Sequence, residues 1–375
     1  MRVLSLSLDA NILDSASVVA TRTRAYGEIV EEYVVLVPAA VRREVVLSPK
    51  VTVYGVHSFS KLGTFLGLFF QAHKLCQSKT FELITTQDAY FLGLLGAGLS
   101  VLCGCALEVQ AHGVEKDTFL RRRLARFVYG RAHVVRTVSS RLKRVLVESY
   151  GVAEEKIVVV PVHVDVTSLG FGTEELAVKT DELRQVNRNK FAICMVGRLV
   201  PVKNYPLALR AVARFFQIYP DTHLHIAGEG WLRPSLEKLV VSLGVHEHVT
   251  FHRDKRGLEL GALYASSDVF MHTADSEGYG MVLIEALHAG LPIVTTDVGC
   301  VGDIIRDNEN ALVVPVGSED VLLRALTRLR TESMLLDTCK VDAKNSVSTL
   351  ATFDAVMCVY KTTWQTAIAV HKNSG

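Results

Sequence analysis

Apolar residues along this chain fall into short runs separated by amphipathic stretches. Val3-Leu4-Ser5-Leu6-Ser7-Leu8 alternates, stops at Asp9 and reads as a strand. Tyr33-Val34-Val35-Leu36-Val37 is unbroken, as expected of a strand covered on both faces. Residues 51–54, 81–85, 133–138 and 157–160 repeat the theme, with helical spacing at 61–77, 118–129 and 139–150. Strands alternating with helices predict a parallel, doubly wound sheet.

The alternation pauses at 171–190, where 174–190 is charged and holds no apolar strand. It resumes with the buried strand Phe191-Ala192-Ile193-Cys194-Met195-Val196. An amphipathic helix at 205–218 follows, then His223-Leu224-His225-Ile226-Ala227 as a strand. Strands at 249–251, 269–272 and 293–296 and helices at 232–243, 261–265 and 282–289 continue the series. The predicted fold is α/β with two Rossmann-like, doubly wound domains facing across a cleft. Their bounds are 1–170 and 191–350, with 171–190 as linker and 351–375 as a final helix and tail. The length of 375 residues agrees, since one core stops growing at roughly 250–300 residues.

Composition changes this picture little. Charged residues are 21% and the net charge is +2, an ordinary globular balance. Seven dispersed cysteines without a C-x-x-C pair argue for reduced thiols in a cytoplasm, not for a disulfide framework or a zinc knuckle. The N-terminal apolar run is too short for a signal peptide. Residues 89–107 lack charge, but Gly93, Gly96, Gly98 and Gly104 interrupt them, which predicts a buried helix, a turn and a buried strand. The charge that exists is unevenly placed. From Lys116 to Arg144 there are ten basic residues and one acidic, including Arg121, Arg122, Arg123, Arg126, Arg131, Arg141, Lys143 and Arg144. Such a run suits an anionic membrane surface or a polyanionic glycan, and equally a solvated helix face. Nucleic acid is not expected as a partner.

In doubly wound folds ligands bind beyond the carboxyl ends of the strands. Three segments there carry candidate chemistry. In Asp275–Pro292, Glu277 and Glu285 are spaced to lie roughly 10–12 Å apart along a helix rising 1.5 Å per residue. Gly278 and Gly280 flank Tyr279 just before Met281, where glycines let backbone approach a ligand and helix N–H groups bind phosphate. Two unrelated glutamates on a capped surface helix would show the same spacing. The Gly-x-Gly directly after a buried strand is what favours a ligand. In Gly197-Arg198-Leu199-Val200-Pro201-Val202-Lys203-Asn204, Arg198 offers a fork of donors and Lys203 a point charge, both suited to a diphosphate. Gly228-Glu229-Gly230 lacks the third glycine of a dinucleotide fingerprint and reads equally as a turn beside a nucleotide or a bare structural turn.

Taken together, G-R-L-x-x-x-K-N, A-G-E-G, L-Y-A-S-S-D-V-F at 263–270 and E-G-Y-G-x-x-x-x-E-A resemble glycosyltransferase family 4. Gln110-Ala111-His112-Gly113 and the segment from Val160 to Asp165 match it more loosely. The resemblance implies the GT-B fold and transfer, with retained configuration, from a UDP- or GDP-linked sugar to a lipid-linked or polysaccharide acceptor. It implies Arg198 and Lys203 at the diphosphate, Glu277 at sugar hydroxyls, Glu285 at the ribose and His112 near the reacting carbon. Gly197, Gly228, Gly278, Tyr279, Gly280 and Met281 fall at donor-binding positions, and the last helix is expected to join the first domain. No Asp-x-Asp pair occurs, so transfer without a metal or other cofactor is expected. The glycine-rich loop usual after the first strand is missing at 9–14. Alternatives are a nucleotide-sugar epimerase, a non-catalytic nucleotide-sugar binder and, more remotely, a phosphorylase using pyridoxal phosphate. The expected location is cytoplasmic, peripheral to a membrane.

Overall fold

The computed structural model describes residues 1–57, 60–113, 118–186, 188 and 190–374. The chain divides into two compact units, Met1–Pro161 with Ala351–Gly375, and Val162–Leu350.

The first unit runs β1 (Arg2–Leu6), α1 (Val18–Glu28), β2 (Glu32–Ala39), β3 (Arg43–Ser48), β4 (Val51–His57) and α2 (Lys61–Ser78). It continues with β5 (Leu83–Thr86), α3 (Phe91–Cys103), β6 (Ala106–Ala111), α4 (Phe119–Arg131), β7 (Val134–Thr137), α5 (Ser140–Tyr150) and β8 (Ile157–Val159). The sheet order is β3-β4-β2-β1-β5-β6-β7-β8, parallel throughout except for the β3–β4 pair. Serine side chains start the helices: Ser17, Ser60 and Ser139 accept from Ala20, Gly63 and Leu142 N–H at 3.0, 3.0 and 3.2 Å. Gly104, left-handed at φ 61°, ends α3 and turns the uncharged segment into β6. The expected helix, turn and strand are therefore present, but the last turn of α3 is not buried, since Val101 and Leu102 are exposed. Among the described residues, no helix is long and apolar enough to cross a membrane.

The second unit holds α6 (Glu174–Val186), β9 (Phe191–Val196), α7 (Tyr205–Ile218), β10 (Thr222–Ala227), α8 (Arg233–Ser242), β11 (Val249–His252) and α9 (Gly257–Ala265). After these come β12 (Val269–His272), α10 (Met281–His288), β13 (Ile293–Thr296), β14 (Ala311–Val314), α11 (Glu319–Thr331) and α12 (Ser333–Val347). Its sheet is parallel, in the order β11-β10-β9-β12-β13-β14. Ile193, Leu224, Ile226, Val212 and Phe215 anchor its core.

α13 (Phe353–Ser374) belongs to the first unit. Trp364 inserts there, 1% exposed, with its ring stacked 5.7 Å from Tyr33. Tyr26 of α1 packs against the same indole. α3 lies on the opposite face of the sheet: a Cβ on its Gly96 would strike Thr86 and Leu107.

Three expectations change. The proposed linker at 171–190 contains α6, which packs on α9 within the second unit, and the division falls at Pro161 rather than after residue 170. The antiparallel edge strand β3 was not foreseen. The basic run is not one surface: Arg136 lies in β7 and is buried, and Lys116 lies outside the described residues.

Candidate functional site

The second unit gathers three loops at the carboxyl ends of β9, β10 and β12. The first two are locked together by backbone. Gly197 N–H donates to Ala227 O at 3.0 Å, and Leu199 N–H to Glu229 O at 2.9 Å. Gly228 sits at φ 143°, and a Cβ there would stand 2.1 Å from Gly197 O. A Cβ on Gly230 would stand 2.3 Å from Leu199 O. The Gly-x-Gly therefore has a structural task, which is to hold the Arg198 loop at close range.

The first and third loops are tied as well. Asp275 N–H donates to Val202 O at 2.8 Å. The Asn204 amide donates to Asp275 Oδ1 at 2.7 Å, and Thr273 Oγ1 to Lys203 O at 3.1 Å. Asn204 takes a left-handed conformation at φ 47° and caps α7, accepting from Leu207 N–H at 3.3 Å. Lys203 is thereby aimed at the loop after β12.

There Lys203 Nζ is ion-paired with Glu277 Oε1, and His272 Nε2 approaches the same oxygen at 3.2 Å. Both side chains of the ion pair are mostly covered. Burial alone would raise the Glu277 pKa. The His272 hydrogen bond and the Lys203 charge outweigh it and hold the carboxyl at about 2. Desolvation lowers the pKa of His272, so the ring meets Glu277 as a neutral donor. Among the described residues neither contact uses Glu277 Oε2. That oxygen remains an ionised acceptor for a ligand hydroxyl.

Three residues on, Gly280 at φ 87° opens α10 and brings no side chain onto its first N–H groups. Tyr279 turns its ring inward, and its carbonyl accepts from Cys300 N–H at 2.8 Å. Met281 begins the helix and is exposed. Glu285, further along α10, accepts from Tyr264 Oη at 2.7 Å. Desolvation raises its pKa, with the Tyr264 hydroxyl acting against it. Arg198 is exposed, and its guanidinium makes no ion pair or hydrogen bond among the described residues. The structure therefore brings Lys203 and Glu277 into contact, sets Glu285 apart on Tyr264 and leaves Arg198 open. Gly278 lies in the loop between Glu277 and Gly280.

His112 belongs to the first unit, just past the end of β6, where Nε2 meets Gln110 Oε1 at 2.9 Å. Desolvation, with the Arg136 and Arg22 charges, lowers its pKa to about 4. Its ring is accessible, which moderates the shift without reversing it. The neutral imidazole is the form present at neutral pH.

Sequence reasoning missed His272, which it read as the last residue of a strand. The position was the signal, since a polar residue closing a buried strand faces the ligand end of the sheet. Among the described residues, no three His, Cys, Asp or Glu side chains are grouped to hold a metal ion.

The description "Glycosyltransferase Family 4" matches residues 19–168, and "Glycosyl transferases group 1" matches 179–346. The chain belongs to glycosyltransferase family 4. A D-inositol 3-phosphate glycosyltransferase of Thermomonospora curvata is 28% identical over 232 residues, 58% of this chain and 54% of that protein. An alpha-monoglucosyldiacylglycerol synthase of Acholeplasma laidlawii is 25% identical over 181 residues, 48% of this chain and 45% of that protein. The matches thus span about half the length of these curated relatives. The crystal structure of Anabaena HepE in complex with UDP-glucose superposes with a TM-score of 0.76 at 18% identity, covering 96% of this chain and 99% of that one. The family-4 chain therefore has the GT-B fold, with two Rossmann-like units.

Proposed function

We propose that this family-4 chain is a retaining glycosyltransferase that moves a sugar from UDP or GDP to a lipid-linked or polysaccharide acceptor without a metal. The observation that carries the reading is Glu277. It is held ionised by Lys203 and His272, keeps one oxygen open, and stands at the entrance to the side-chain-free start of α10. Glu277 Oε2 accepts sugar hydroxyls. Arg198, Lys203 and the first N–H groups of α10 oppose the charge that builds on the departing diphosphate, and Glu285 receives the ribose. Each preorganised donor of this kind is worth roughly 10²–10³ in rate. His112 is assigned to the donor sugar through its family-4 motif, Gln110-Ala111-His112-Gly113. Retention follows from attack on the face that the diphosphate leaves, with the leaving phosphate oxygen taking the acceptor's proton. The protein works in the cytoplasm.

A surface of the first unit supports a membrane-borne acceptor. α2, α3 and α4 lie side by side. α2 exposes Leu62, Leu66 and Phe70 along one stripe, and α3 exposes Val101 and Leu102. α4 exposes Phe119 and Leu120 (76% and 77%) among exposed Arg121, Arg122, Arg123 and Arg126. Apolar residues interleaved with arginines match an anionic bilayer.

The test is release of nucleoside diphosphate from UDP- and GDP-sugars with acceptor extracts, with and without EDTA. Lys203→Ala and Glu277→Ala are expected to lose roughly a hundredfold or more in turnover. Near-normal rates in both would remove this assignment, and activity abolished by EDTA and restored by magnesium would remove metal independence. Isomerised donor without acceptor would indicate an epimerase; binding without transfer or hydrolysis would indicate a binding protein.

A further inference from the structure

A buried ion pair in the first unit includes none of the side chains assigned to the donor above. Glu108 on β6 and Arg136 on β7 are 0% and 2% exposed, and Arg136 Nε donates to Glu108 Oε1 at 2.6 Å. α13 completes the site. Trp364 Nε1–H donates to Glu108 Oε2 at 3.0 Å. Tyr360 Oη accepts from Arg136 Nη1 at 2.8 Å, and its ring lies 4.2 Å beneath the guanidinium. Burying two charges is costly, and a pair so placed is weak evidence of stability in itself. Its effect is sought in what it orients.

From Glu108 a chain of hydrogen bonds leads to His112, and each link has one solution. The indole and guanidinium groups only donate, and the guanidinium is ion-paired with Glu108, so both Glu108 oxygens serve as acceptors. Thr85 Oγ1, 2.5 Å from Glu108 Oε2, must give its single proton to it. The Thr85 oxygen is then left to accept, so the group 2.8 Å away has to be the Gln110 amide nitrogen. That orients Gln110 with its carbonyl oxygen toward His112, 2.9 Å from Nε2. An oxygen that only accepts requires a proton on Nε2.

We infer that the Glu108–Arg136 pair, completed by α13, fixes His112 as the Nε2–H tautomer through Thr85 and Gln110. Nδ1 then carries the lone pair, and among the described residues it has no partner. Thr85 and Gln110 are positioning residues. Where His112 meets the donor sugar, which rests on the proposed function, it does so through Nδ1 as an acceptor from a sugar hydroxyl.

The test is long-range ¹H–¹⁵N correlation NMR on the full chain at neutral pH, with the His112 ring assigned by its loss in His112→Gln. The wild type is expected to show a pyrrole-type Nε2 and a pyridine-type Nδ1. In Thr85→Val the Gln110 amide is no longer oriented, and the tautomer ratio is expected to fall roughly tenfold, the worth of one net hydrogen bond. Gln110→Leu removes the acceptor itself and serves if Thr85→Val does not fold. A wild-type ring protonated on Nδ1, or a ratio unchanged in the folded variants, would overturn the inference. The spectra need no substrate, so their failure would leave the proposed transfer standing, and failed transfer would leave the tautomer standing.

Discussion

Replacing Glu277 by Gln keeps the side chain's size and removes the charge that Lys203 and His272 share. The carboxyl stands at about 2 in the folded chain against an ordinary 4.5. That difference of about 2.5 units, at about 1.36 kcal/mol each, is worth about 3 kcal/mol. The folded pKa is depressed, so the contribution is present above the unfolded value and is lost as pH falls toward the folded one. It is nearly level from pH 7 to pH 5 and falls by about 2 kcal/mol by pH 3. Denaturant unfolding of wild type and Glu277→Gln at pH 7, 5, 4 and 3 measures it. The gap between the two proteins is expected to be about 2–3 kcal/mol at pH 7 and to narrow steadily below pH 5. A gap that stays constant from pH 7 to pH 3 would refute the reasoning, because the Lys203 contact would then act by packing and not by charge.

Trp364→Ala should destabilise the chain by about 3–5 kcal/mol, as expected for a fully buried indole; a lowering of denaturant midpoint worth under about 1 kcal/mol would show that α13 is dispensable to the first core. In flotation at low salt, the chain should rise with vesicles of phosphatidylglycerol and phosphatidylcholine but not with phosphatidylcholine alone. Phe70→Asp and Arg123→Glu should each weaken that binding, and an absence of wild-type binding to the anionic vesicles would remove the membrane-facing assignment.

Much of the architecture was legible because fully apolar runs such as Tyr33 to Val37 and Phe191 to Val196 can only be central strands. The elements that escaped are those whose apolar content is thin. β3 is an edge strand, with Arg43 and Glu44 exposed at its start and Val46 exposed beyond them. α6 buries little more than Leu176 and Thr180, so its charge reads as linker. The alternation of Glu108 and Gln110 along β6 mimics a solvated sheet face. What covers that face is α13, more than 240 residues later in the chain. Arg136 counts as surface charge by composition because sign is visible in a sequence and a partner on another strand is not. At the candidate site, motif and spacing identified Glu277 and Lys203 individually. Their contact depends on the left-handed Asn204 and its bond to Asp275, 71 residues away.

Calorimetric titration of UDP, GDP and their sugars into wild type, Lys203→Ala and Glu277→Gln tests the central claim most directly. Lys203→Ala is expected to weaken both the preferred nucleoside diphosphate and its sugar by about tenfold or more, the worth of a charge-assisted hydrogen bond. Glu277→Gln is expected to weaken the sugar nucleotide but not the bare diphosphate. Equal losses for both ligands in Glu277→Gln, or none in either variant, would contradict a donor sugar held at Glu277 with its diphosphate at Lys203.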